Sequence, residues 1–201
     1  MGKLYDQIDD SLASFIGRQH VFFVGTAPAS LEGHLNVSPK GLDTFRILGP
    51  KSVAYLDLTG SGIETVAHLR ENGRLIIMFC AFEGRPLVVR LHGQGRVIEP
   101  GDSAWDGLIA RFTEYPGARS VVVLDVERIA DTCGFAVPLY EYKGERSQLI
   151  DSAERKGPKG LEKYRSEKNR SSIDGIAGLR SQSPDAAGSV ERGSRDGDVL
   201  L

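Results

Sequence analysis

Two apolar segments, residues 75–82 (LIIMFCAF) and 87–98 (LVVRLHGQGRVI), are separated only by Glu83-Gly84-Arg85-Pro86. Four residues cannot carry a chain to a parallel neighbour, so the two segments must pair as an antiparallel hairpin. The same pattern recurs along the chain. Residues 21–26 are a β-branched and aromatic run bounded by Gly25 and Pro28, and residues 33–39 and 51–58 follow Gly- or Pro-containing turns. Residues 120–126 (SVVVLDV) read as another strand, which residues 129–136 continue or follow. Gly93 and Gly95 interrupt the longest strand, where a bend, a bulge or the close approach of another chain is expected. A strand-rich core with few helices argues for an α+β barrel.

Helical spacing is confined to a few segments. Leu4, Ile8, Leu12 and Ile16 recur every four residues and predict an amphipathic first helix. Ser61 and Glu64 read as a capping box opening a helix over residues 63–69, closed by Asn72-Gly73. Trp105, Leu108, Ile109 and Phe112 follow an Asp102/Ser103 cap and predict a further helix, with Trp105, Phe112 and Tyr115 in the core. Residues 146–170 are charged and helical in character, broken at Gly157-Pro158. From Ser181 onward Ser, Gly, Asp and Arg dominate, the composition of a disordered tail. The expected organisation is a barrel domain over residues 1–145, a charged helical extension over 146–180 and a tail over 181–201.

Composition excludes several functions. A net charge of -2 offers no basic surface for nucleic acid. No apolar run approaches the roughly 20 residues that span a bilayer, and the acidic N-terminus is unlike a secretion signal. Cys80 and Cys133 lack metal spacing and read as buried thiols in a reducing cytoplasm. His34, His68 and His92 are scattered, so no metal site is expected, and His68 is placed on the polar or intermediate face of its helix. Without a nucleophile elbow, hydrolysis has no support.

Two stretches can carry chemistry. In Thr59-Gly60-Ser61-Gly62-Ile63-Glu64-Thr65 a strand enters a glycine-rich turn and then a helix. Free N–H groups there, with the hydroxyls of Thr59, Ser61 and Thr65, suit a phosphate. The same residues also suit a helix cap alone, and both readings stand. Asn36-Val37-Ser38-Pro39-Lys40 places a hydroxyl and an ammonium together at a sheet margin, where an anionic ligand could use both. Arg46 and Arg90 are further cations in apolar surroundings.

Taken together, HLNVSPKGLDTFRIL, VAYLDLTGSGIETVAHLRENGRLIIMFCAFEG and RLHGQGRVI, in that order, resemble the pyridoxamine 5'-phosphate oxidase-like, FMN-binding split-barrel family. The later CGFAVPLY is similar to a mostly uncharacterised subgroup. The resemblance implies a split β-barrel of about six mainly antiparallel strands with peripheral helices, working as a homodimer with FMN between protomers. It implies a flavin-dependent oxidoreductase acting on a small molecule, in the cytoplasm that the cysteines suggest. On that template Asn36, Val37, Ser38 and Lys40 line the flavin ring, Thr59, Ser61 and Thr65 lie near its phosphate, and Arg46 and Arg90 support the charge. The vitamin-making oxidases carry a basic cluster at the helix start, where this chain reads Ile63-Glu64-Thr65, and they end in a substrate-gripping segment that this chain lacks. The fold also serves deazaflavin-dependent reductases and non-catalytic flavin- or haem-binding proteins.

Overall fold

The computed structural model describes residues 2–180. Its centre is one antiparallel sheet. The strands are β1 (Leu4–Tyr5), β2 (Phe22–Thr26), β3 (Asn36–Lys40), β4 (Phe45–Gly49), β5 (Ser52–Leu58), β6 (Arg74–Cys80), β7 (Val88–Ile98) and β8 (Ala118–Thr132). They are ordered β3-β2-β6-β7-β8-β5-β4, with β1 alongside β8. The two edges of this order, β3 and β4, are consecutive in the chain and joined by residues 41–44 alone. So short a link forces the sheet to roll until its edges approach, as the ion pair between Lys40 on β3 and Asp57 on β5 records. The edges do not pair with each other, so the barrel is split.

The β6–β7 hairpin forms as its linker requires, with Cys80 opposite Val88 and Leu75 opposite Gly93. At Gly93 the β7–β8 register shifts, and a Cβ there would collide with the Asp125 carbonyl oxygen. That is the bulge and close approach the glycine signalled. The strand count exceeds the expected six. β1 and β4 were not legible as strands, because Leu4–Tyr5 shares the helical spacing of the next segment and Phe45–Gly49 ends in Gly-Pro. The first helix, α1, accordingly covers Asp10–Gly17, capped by the Asp9 carboxylate accepting from the Leu12 N–H. Its Leu12, Phe15 and Ile16 enter the barrel core beside Val24, Tyr55 and Phe79.

Helix α2 (Glu64–Asn72) crosses between β5 and β6 and ends at Gly73, whose φ of 69° is the left-handed conformation expected of a glycine there. The expected capping box is not formed. Ile63 stands at the N-cap with no side-chain hydrogen bond, and the Glu64 carboxylate accepts from the Ile173 N–H instead. The expectation for His68 is also corrected: every face of α2 near its middle is covered, and His68 is buried completely. Its Nδ1 lies 3.0 Å from Thr26 Oγ1, and burial holds the imidazole below its ordinary pKa.

Helix α3 (Trp105–Ile109) covers a second apolar cluster on the outside of β5 and β8, built from Leu56, Val121, Val123 and Phe112. There Trp105 and Tyr115 are partly buried at the margin of this second cluster. Cys80 is buried as expected, but Cys133 is exposed, because β8 ends at Thr132 and the chain leaves the sheet. Helix α4 (Gln148–Lys168) is kinked at Gly157, with φ 60° and ψ 178°, immediately before Pro158. The 181–201 segment expected to be disordered lies outside the described residues.

Candidate functional site

Strand β3 presents alternate residues to opposite faces, as any strand must. Its register with β2 sets Asn36 opposite Thr26, Ser38 opposite Val24 and Lys40 opposite Phe22 on the inner face. Val37 falls on the outer face and is exposed. Inside, the polar groups form a linked set. Asn36 Nδ2 donates to Thr26 Oγ1 at 3.1 Å and to Thr65 Oγ1 at 3.0 Å, while Ser38 Oγ donates to Asn36 Oδ1 at 3.1 Å. Ser38 therefore turns its hydrogen inward and offers lone pairs to the space in front of it.

That space is a cavity of about 1110 Å³. Ser38, Lys40 and Thr65 line it together with Gly60 and Gly62 of the glycine turn, and residues 140–146 form its opposite wall. The wall is pinned by aromatic stacking, Tyr142 on His20 and Tyr140 on Phe82, with ring centroids 3.6 and 5.4 Å apart. The Glu145 carboxylate ties it to the Leu42 N–H at the mouth. Leu42 itself has a φ of 61°, a strained conformation for a branched residue just after Lys40.

The charge balance at the turn comes from residues the sequence reading passed over. Asp57, 2% exposed, receives Arg119 Nε at 2.6 Å and Lys40 Nζ at 3.3 Å, with Ser120 Oγ at 3.3 Å. Burial pushes the Asp57 carboxyl upward, but Arg119 and Lys40 together outweigh it and bring the pKa to about 2. Arg119 is 5% exposed and reaches the turn as well, donating to the carbonyls of Gly60 and Gly62 at 3.2 and 2.9 Å. Behind it, Arg165 donates to Thr59 Oγ1 at 2.9 Å, and burial beside Arg119 lowers its pKa. Lys40, Arg119 and Arg165 thus gather around Asp57, while Glu64 also lines the cavity. The buried Tyr55 hydroxyl has no hydrogen-bond partner among the described residues, and Lys40 Nζ lies 5.7 Å from its ring centre.

The other expected site residues are elsewhere. Thr59 is buried behind the turn, donating to the Gly117 carbonyl at 2.7 Å. Ser61 is exposed and outside the cavity lining. Arg46 is engaged by the Asp43 carboxylate and the Arg111 carbonyl, away from the cavity. Arg90 sits on the outer sheet face opposite Met78 and donates to Thr132 Oγ1. Asp57 and Arg119 did leave a signal, since each is a charge set inside or at the head of an otherwise apolar strand. Arg165, in a charged helix, left none.

Residues 8–133 match the model of the pyridoxamine 5'-phosphate oxidase family. The chain belongs to that family. It is 40% identical over 198 residues to the pyridoxamine 5'-phosphate oxidase family protein ustO of Aspergillus flavus, covering 90% of this chain and 79% of that relative. Among solved structures it is similar to HupZ of Group A Streptococcus, at 25% identity and a TM-score of 0.47, over 61% of this chain and 91% of that one. A pyridoxamine 5'-phosphate oxidase-related, FMN binding protein of Nostoc punctiforme matches at 13% identity and a TM-score of 0.47, over 62% and 82%. No helix among the described residues is long and apolar enough to cross a membrane.

Proposed function

We propose that this family member is an FMN-dependent oxidoreductase acting on a small conjugated or heterocyclic molecule. The observation that carries the reading is the cavity, which joins a glycine turn with free N–H groups, backed by Arg119, to a wall where Tyr140 and Tyr142 alternate with charged residues of both signs, Glu141, Lys143, Glu145 and Arg146. Its volume, about 1110 Å³, is at or beyond the roughly 300–1,000 Å³ of a typical small-molecule pocket. There is room for a cofactor and a substrate together.

The residues present suit FMN. Ser61, Gly62 and Ile63 have backbone N–H groups with no acceptor among the described residues, and they stand at the positive end of α2. These groups and the Thr65 hydroxyl would receive the phosphate, with Lys40 nearby. Ser38, its hydrogen given to Asn36, would accept an N–H or O–H from the ring system. FMN, when bound, supplies the electron acceptor, taking up electrons singly or as a hydride. Lys40 would favour the negative charge the ring gains on reduction, and the 140–146 wall would exclude water. No side chain need act as a nucleophile.

The same reading includes a homodimer. On the outer face of the sheet Val37, Gly25, Ile76 and His92 lie in one row, and Pro39, Phe23, Met78 and Arg90 in the next. This mostly apolar face stays partly exposed among the described residues, and a second copy would place Arg90 at the junction. Exposed, unpaired Cys133 suits a reducing cytoplasm.

Protein as purified should absorb as a flavin and release FMN, near one per chain, on denaturation. A colourless protein that takes up no FMN on titration would falsify the reading. Sedimentation of the same sample should give a dimer.

A further inference from the structure

The glycine turn is held from behind by a residue of the C-terminal extension, outside the 8–133 stretch that defines the family. Asn169, directly after α4, is fully buried. Its Nδ2 donates to the carbonyls of Gly60 at 2.9 Å and Ser61 at 3.4 Å, and its Oδ1 accepts from Arg119 Nη1 at 2.9 Å. Arg119 in turn holds the carbonyls of Gly60 and Gly62. Three consecutive carbonyls are therefore drawn to one side.

In a trans peptide the carbonyl of one residue and the N–H of the next point in opposite directions. None of the described peptide bonds is cis. Fixing the carbonyls of Gly60, Ser61 and Gly62 toward Asn169 and Arg119 thus aims the N–H groups of Ser61, Gly62 and Ile63 the other way. Successive N–H groups on one side make an anion-binding concavity. Gly60 and Gly62 have no side chain, and the exposed Ser61 hydroxyl makes no hydrogen bond among the described residues, so the turn has little of its own to set its direction. Arg165 completes the hold by donating to Thr59 Oγ1 and the Ala118 carbonyl.

We infer that Asn169 is a positioning residue for the anion end of the site, orienting the turn so that it receives a phosphate monoester. This rests on the flavin reading and adds that the extension belongs to the cofactor site. It predicts a dependence on phosphate, because the ring end of the cavity does not touch Asn169.

The test is fluorescence-quenching titration of the full chain with FMN and with riboflavin, which lacks the phosphate, for wild type, Asn169→Ala and Asn169→Ser. Wild type should prefer FMN. Both variants should lose about tenfold or more in FMN affinity, the scale of a charge-assisted hydrogen bond, while riboflavin changes by less than about twofold. A merely structural Asn169 would weaken both flavins in the same proportion, and that result overturns the inference. So does unchanged FMN affinity. If the Asn169 variants do not fold, Arg165→Met frees Thr59 at the entry to the turn and should give the same phosphate-selective loss, with a proportional loss again overturning it. Wild type that binds both flavins equally refutes the positioning role but leaves flavin binding intact; wild type that binds neither refutes both.

Discussion

The two walls that meet at the candidate phosphate end are built in opposite ways. On β3 the groups facing the cavity are side chains, Ser38 and Lys40, with Asn36 on the same face holding Ser38 and Thr65, all delivered by alternation along five residues and one register with β2. At residues 59–63 the useful groups are backbone N–H, and their direction is set by Arg119 and Asn169, drawn from β8 and the end of α4. A strand wall is thus a local property, whereas a turn wall is a property of distant partners. Asp57 joins the two, holding Lys40 with one carboxylate oxygen and Arg119 with the other.

Removing that joint should have the largest effect. Asp57→Ala leaves two cations facing a buried gap, which costs about 3–5 kcal/mol for a broken buried pair. The urea midpoint measures it. The pH dependence sharpens the comparison, since the folded pKa of Asp57, about 2, lies below its unfolded value of roughly 3.9. For a depressed carboxylate the stabilisation is complete above the unfolded value and is lost as pH falls through the folded one. Unfolding followed from pH 6 down to about pH 2 should therefore show wild type losing roughly 2–3 kcal/mol that Asp57→Asn never had. Identical pH profiles would show that Asp57 does not join the walls.

Next comes Lys40→Met, which strips charge from the strand wall and leaves Arg119 on Asp57. FMN affinity should fall about tenfold, with a smaller loss of stability than Asp57→Ala. FMN binding unchanged in this variant would remove Lys40 from the site and leave the turn to act alone.

The contrast between the walls also explains what could be read in the sequence. The hairpin linker at 83–86 dictated antiparallel pairing, and Gly93 marked its bulge, because both are local constraints. Asn36, Ser38 and Lys40 were legible for the same reason. Arg119 and Asp57 were visible only as charges in apolar strands; their partnership depends on the β5–β8 register and its shift after Asp57, and that of Lys40 with Asp57 on the roll of the sheet, none of which a local pattern states. Asn169 lies more than a hundred residues from the turn it holds, in a segment whose composition suggested only a charged helix. Thr59 and Ser61 stand out in the sequence for their hydroxyls, but they belong to a stretch whose proposed contribution is its backbone.

Ser61→Ala should have the smallest effect, and it separates the two original readings of the turn. A capping serine lost from a helix costs typically about 1 kcal/mol. Here Ile63 is the N-cap, the Ser61 side chain is exposed and Glu64 is turned to Ile173, so no cap exists to lose. The substitution keeps the backbone N–H of residue 61, which is what the turn would offer an anion. Stability should change by less than about 0.5 kcal/mol, as for an ordinary surface position, and FMN affinity should hold within about twofold. A loss near 1 kcal/mol would restore the cap, while intact stability with weakened FMN binding would mean that the hydroxyl, not the backbone alone, meets the phosphate.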